Sequence, residues 1–214
     1  MGVKVAGDIY ERIREEIVSG ALPAGAPLVE AALAGAYGIS RTPVREALRR
    51  LEHDGLVERA DRSLRVRTRS PEEILEIYEV RIVLEGAAAR AAAERRTELD
   101  LARLRTALRD LTAAPAVPAE MAAANRRFHD VTWAASHNAA LIDVLSRLQS
   151  HLTRYPTTTL TYEGRWQAVI KDYDDLLDAI ARRDGGQAAR IAEEHMTAAR
   201  DIRLQMYAAD SLLS

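Results

Sequence analysis

The sequence predicts a mainly α protein in two parts, an N-terminal winged helix-turn-helix over residues 1–69 and a C-terminal all-α six-helix bundle over residues 70–214. Three observations carry this. Apolar residues recur at helical spacing through most of the chain. Strand-like alternation is confined to the stretch between Leu56 and Thr68. Ser70-Pro71-Glu72-Glu73 is a strong helix start, with a capping residue, a proline at the first position and carboxylates in the first turn, and it sets the boundary.

Val5, Ile9, Ile13 and Ile17 at four-residue spacing predict a first helix over Val5–Ser19, ended by Gly20, and Leu22–Pro27 reads as a turn. Leu28, Ala32, Leu33 and Ala36 predict a second helix up to Tyr37, and Gly38 breaks it. Ser40 suits an N-cap and Pro43 the first turn, so a third helix starts near Arg41 or Thr42. On it Val44, Leu48 and Leu51 form an apolar stripe, while Arg41, Arg45 and Arg49 recur on the opposite side. One face suits a core and the other an anion. After Gly55, Leu56-Val57 and Leu64–Thr68 read as two short strands, with Leu64, Val66 and Thr68 facing one way and Arg65, Arg67 and Arg69 the other. A basic hairpin beside a basic helix describes a wing. Beyond Ser70 the helical segments are 71–95, 98–112, 118–136, 139–154, 165–183 and 186–208, and an alanine-rich run over 87–93 suits close helix packing.

The chain has no cysteine, which excludes disulfides, thiolate zinc sites and cysteine nucleophiles. No stretch approaches the roughly 18 apolar residues of a membrane span, so a soluble, cytoplasmic protein without membrane partners is expected. Net charge is −2, but residues 1–70 hold 12 Lys/Arg against 10 Asp/Glu and residues 71–214 hold 18 against 22. The segment 41–69 holds 9 arginines against 5 acids. A local positive surface on a mildly acidic protein fits a DNA-binding part carried by one that does not touch DNA.

Residues 38–57, Gly-Ile-Ser-Arg-Thr-Pro-Val-Arg-Glu-Ala-Leu-Arg-Arg-Leu-Glu-His-Asp-Gly-Leu-Val, resemble the recognition helix of the GntR family of bacterial transcription regulators. Ile17, Gly20, Leu22, Pro23, Gly25, Leu28 and Glu30 also fall where that family has its first helix and the approach to the second. The wing tip departs, with Ala60-Asp61-Arg62-Ser63 where the family often has glycine. The resemblance implies that Arg41, Arg45 and Arg49 contact guanine edges or phosphates, Ser40 and Thr42 the DNA backbone, and Arg62 and Arg65 the groove beside the wing. It also implies a homodimer on a palindromic operator in double-stranded DNA.

In the second part, Asn125-Arg-Arg-Phe-His129, Asp178-Ala-Ile180, Asp184 and His195 are similar to the ligand-sensing FCD domain of FadR-type members, and six helices suit the shorter, VanR-like subgroup. That resemblance implies a small organic or sugar acid as effector and repression relieved by it. It also implies a divalent, zinc-like metal ion held by Asn125, His129 and His195, with Tyr173 where the family usually has a further histidine. Tyrosine is a poor ligand unless deprotonated, and Asn125 brings no charge. Three roles therefore stand open for His129 and His195: metal ligands, buried hydrogen-bonded side chains lining a dry pocket, or direct contacts to an anionic effector with Tyr173 donating a hydrogen bond. Asp172 or Asp174 replacing the missing ligand would lie about 100° off the face of Tyr173. Arg81 is either a clamp for an effector carboxylate or an ordinary surface partner of Glu85. Trp133 and Trp166 read as core.

The sequence carries no Gly-rich phosphate loop, His-Glu-x-x-His, Gly-x-Ser-x-Gly or acidic metal cluster. The expectation is a ligand-responsive transcription regulator rather than an enzyme. The rivals are a metal-dependent enzyme built on the bundle, and an architectural DNA binder with no cavity near His129.

Overall fold

A computed structural model describes the backbone of residues 2–60, 63–152 and 158–211 and the side chains of 9–60, 63–152 and 158–209. The chain divides into two compact units, Met1–Ser70 with Gln149–Pro156, and Pro71–Leu148 with Thr157–Ser214.

In the first unit, α1 (Gly2–Val18), α2 (Glu30–Tyr37) and α3 (Arg41–His53) enclose a core with a small sheet. Ile9, Ile13 and Ile17 of α1 meet Val44, Ala47, Leu48 and Leu51 of α3, because their four-residue spacing puts them on one face. Gly38 ends α2 at φ 66°, a left-handed turn that glycine enters without steric cost and that redirects the chain into α3. The hairpin is β2 (Val57–Ala60) with β3 (Ser63–Val66), antiparallel, Glu58 opposite Arg65 and Val57 opposite Val66. Val57 and Val66 are buried and Arg65 is exposed, as the alternation requires.

The hairpin strands run Val57–Ala60 and Ser63–Val66 rather than Leu56–Val57 and Leu64–Thr68, and two further details depart from the sequence reading. A third strand, β1 (Pro27–Leu28), pairs with β3 and gives the sheet order β1-β3-β2, so α2 starts at Glu30 and not at Leu28. Two residues are too few to show a period, and Pro27 fits an edge because it has no N–H to give. Ser40 does occupy the N-cap of α3 in extended conformation, yet its side chain makes no capping bond. Pro43 stands three residues on and lacks the N–H that a cap serine would bind.

The second unit holds α4 (Pro71–Arg95), α5 (Glu98–Thr112), α6 (Pro118–Ala135), most of α7 (Ala139–Leu152), a short 3₁₀ turn (Thr159–Thr161), α8 (Arg165–Ala181) and α9 (Gly185–Ser211). No strand occurs among its described residues. Thr97 and Asp100 form a reciprocal capping box that starts α5. Ala89, Ala92 and Ala93 of α4 lie in one core with Ala188 and Ala192 of α9, small side chains that let the two long helices approach closely. At Gly86 a Cβ would run into the side chain of Glu193, which marks how near α9 runs. Leu101, Leu104 and Leu111 of α5, Phe128 of α6 and Val169, Leu176 and Ile180 of α8 complete the core. Among the described residues no helix is long and apolar enough to cross a membrane.

Candidate functional site

Two sites stand out, one in each unit. On α3 the buried stripe Val44, Ala47, Leu48 and Leu51 faces the core, leaving Ser40, Arg41, Thr42, Arg45 and Arg49 exposed on the other side. From Arg41 to Arg49 the helix rises about 12 Å, close to the width of a DNA major groove. Arg45 is engaged: its Nε lies 3.0 Å from both oxygens of Glu30 and its Nη2 2.8 Å from Oε2. That hydrogen bonding, followed by the nearby charges of Arg45, Arg41 and Arg49, holds the Glu30 carboxyl below the usual range. Arg41 and Arg49 pair with no described residue. Arg50 leaves the row to lie over the ring of Tyr10 at 4.1 Å, and the Tyr10 hydroxyl donates to Asp54 Oδ2 at 2.6 Å, so this arginine is spent on packing α1 against α3.

On the hairpin, Arg65 donates from Nε to Glu58 Oε1 at 2.7 Å, an exposed cross-strand pair set by the register. Arg62 lies outside the described residues.

The second site is polar and buried, and it gathers side chains from α4, α6, α8 and α9. Arg81 and Glu85, one turn apart on α4, form a hydrogen-bonded ion pair with both side chains at most 4 % exposed, so the surface-pair reading is set aside. The other oxygen of Glu85 accepts from Trp133 Nε1 at 2.7 Å and stands 3.4 Å from His129 Nδ1. Burial pushes the Glu85 carboxyl up, but the charges of His129 and Arg81 outweigh it and hold the group well below its ordinary value. Trp133, read as core, is buried and also supplies this donor.

Beyond His129 lies Tyr173, stacked on Phe128 with ring centroids 4.1 Å apart. Its hydroxyl donates to Asn125 Oδ1 at 2.7 Å and lies 3.0 Å from His129 Nε2 and 3.3 Å from His195 Nε2. Burial first, and then the charge of Glu85, raise the Tyr173 phenol well above its ordinary value, so it stays protonated. Asp172 does not replace a ligand at the centre. It reaches behind, accepting from His195 Nδ1 at 3.0 Å, and Arg165 donates to the His195 carbonyl at 2.9 Å. Burial lowers the His195 imidazole to about 4, leaving it neutral. Glu85, Phe128, His129, Thr132, Tyr173 and His195 surround about 10 Å³ of free space, about what one water molecule needs.

All five residues expected at the effector site thus fall in one network: Arg81, Asn125, His129, Tyr173 and His195. What the sequence reading missed is its ionic half. Local spacing ties Glu85 only to Arg81 and gives no sign that Asp172 and Arg165 reach His195. Arg165 sits 30 positions from the histidine it supports, so no local spacing betrays it. As a metal site the set is weak. Its donors are two imidazoles and one amide oxygen, a phenol stands where they converge, and no group of three or more His, Cys, Asp or Glu among the described residues is placed to hold an ion.

An arginine-lined reading helix followed by a separate helical unit with a polar core defines a DNA-binding transcription regulator with an effector-binding domain. The comparisons place it more narrowly. Residues 5–63 match the bacterial regulatory proteins of the gntR family and residues 76–198 match the FCD domain, and the chain belongs to this family of GntR regulators carrying an FCD domain. It is similar to the galactonate operon transcriptional repressor of Escherichia coli, at 30% identity over 201 residues, 83% of this chain and 87% of that one. It is similar also to the uncharacterized HTH-type transcriptional regulator YdhC of Bacillus subtilis, at 25% over 88% of this chain and 84% of the relative. Among solved structures, E. coli McbR/YncC superposes with a TM-score of 0.77 at 27% identity, covering 95% of this chain and 98% of that one. Neither family match is that of an enzyme, so the metal-dependent enzyme has no support.

Proposed function

We propose that this regulator is a cytoplasmic repressor that binds a palindromic operator as a homodimer and leaves it when a small organic or sugar acid enters the polar core of the bundle. The observation that carries the effector class is the Arg81–Glu85 pair. A buried guanidinium already holds the carboxylate whose other oxygen faces His129, and its fork geometry suits an incoming carboxylate equally well. The repressor sense is supported by the likeness to the galactonate operon regulator, which is a transcriptional repressor.

The core as it stands has room for about one water molecule, whereas small-molecule sites commonly span about 300–1,000 Å³. An effector must therefore open the core, with its own carboxylate taking the place of Glu85 on Arg81. Such opening is what gives the ligand different affinities for two states, the requirement for any switch. Two reading helices on a two-fold axis would match a palindrome and roughly double the binding free energy of one half-site.

A thermal-shift screen of hydroxy and sugar acids, followed by fluorescence anisotropy on a duplex from the adjacent promoter, tests the proposal. An acid that raises the melting temperature should also release the duplex, and Arg81→Ala should abolish both effects. Stabilisation by neutral sugars alone, or release unaffected by Arg81→Ala, would contradict it. Light scattering that finds a monomer on and off DNA would remove the dimer.

A further inference from the structure

The buried centre formed by Asn125, His129 and His195 is arranged like a cation site. Each side chain turns one polar atom to a common point, and the two imidazoles are held from behind by carboxylates, Glu85 at 3.4 Å from His129 Nδ1 and Asp172 at 3.0 Å from His195 Nδ1. Carboxylates in that position orient histidine ligands and raise their basicity. At the common point stands the hydroxyl oxygen of Tyr173, within 2.7–3.3 Å of all three atoms. The phenol gives its one proton to Asn125 Oδ1, while His195 Nε2, the unprotonated nitrogen of a ring whose Nδ1 proton goes to Asp172, meets the oxygen as a close contact rather than a hydrogen bond. Metal–nitrogen bonds run to about 2.0–2.1 Å, so an ion bound by both imidazoles would need the place the oxygen fills. The ring has little room to withdraw, being stacked on Phe128 and 2% exposed.

The geometry points to a sensing core in which the Tyr173 hydroxyl takes the place of a divalent cation. The bundle packs α6 and α9 around this one oxygen of α8, and the effector meets hydrogen-bonding groups and Arg81 rather than a metal. An imidazole in place of the phenol would end roughly 2–3 Å short of that oxygen, about one metal–nitrogen bond. Tyr173→His would therefore leave a gap of the right size and add a third nitrogen ligand.

The test needs neither operator nor effector, so it is separate from the proposed function. Wild type, Tyr173→Phe and Tyr173→His are dialysed against zinc, nickel or manganese, and then freed of loose metal. Metal content is measured by mass spectrometry, and melting with and without EDTA by circular dichroism. Wild type and Tyr173→Phe should retain well under one ion per chain and melt alike with and without chelator. Tyr173→His should retain about one ion per chain and lose melting temperature in EDTA. Retention of about one ion per chain by wild type, with an EDTA-sensitive melt, overturns the inference. A folded Tyr173→His that takes up no ion overturns it too. Should that variant fail to fold, the wild-type and Tyr173→Phe measurements decide alone.

Discussion

Arg45 on α3 and Glu30 on α2 face each other across the helix-turn-helix, with two guanidinium nitrogens shared between both carboxylate oxygens at 2.8–3.0 Å. The carboxylate aims the guanidinium, and it also places a negative charge where a DNA phosphate would approach. Glu30→Gln should therefore tighten binding to non-specific duplex and raise the salt slope by about 1, while discrimination between operator and scrambled duplex falls. Titrations of both duplexes over a range of salt check this. Unchanged discrimination would show that Glu30 does not orient Arg45.

Glu85→Ala is expected to be among the most damaging single changes in the bundle. It strands the Arg81 guanidinium in a site of 3% exposure and leaves Trp133 Nε1 without its acceptor. Removing one partner of a buried pair costs about 3–5 kcal/mol. Urea unfolding measures it, and an Arg81→Met/Glu85→Met double variant should lose much less. Equal losses would mean that packing rather than the orphaned charge sets the cost.

Alkaline stability should report on the first unit. Burial, helped by the hydrogen bond to Asp54, pushes the Tyr10 phenol up to about 12, and burial with the bond to Glu16 does the same for Tyr37. Unfolded tyrosine titrates near 10, so the folded chain holds these protons more tightly. The stability they contribute is fully present below pH 10 and is lost as pH rises through 12. Melting temperature should fall by several degrees over that window, and Tyr10→Phe should flatten the decline. A melt that stays level from pH 10 to 12 would show that the two hydroxyls are not held in this way.

Much of this architecture was legible in the residues, for reasons that differ by element. The span of α5 could be read at both ends because Thr97 caps it and the Ala113–Pro118 stretch stops its continuation. The outward row of α3 could be read because periodicity alone separates Val44, Leu48 and Leu51 from the arginines. β1 was hidden because a two-residue strand has no period and exists only through its pairing with β3. The missing Ser40 cap follows from the sequence once Pro43 is placed three residues on, since proline has no N–H to give. In the bundle, Asn125 with His129 comes from the resemblance to the FCD domain, and the Arg81–Glu85 pair shows in the four-residue spacing. The support that Arg165 and Asp172 lend to His195 does not, because it is assembled by the packing of α8 against α9.

The most direct measurement is anisotropy of a labelled duplex from the promoter beside the gene, titrated with wild type and with Arg41→Ala/Arg49→Ala. These two guanidiniums face outward, so the double variant should melt with the wild type. Wild type should bind in a salt-sensitive way, and the variant should lose about tenfold or more in affinity per arginine. A variant that binds the promoter duplex as tightly as wild type, with the same salt dependence, would contradict it.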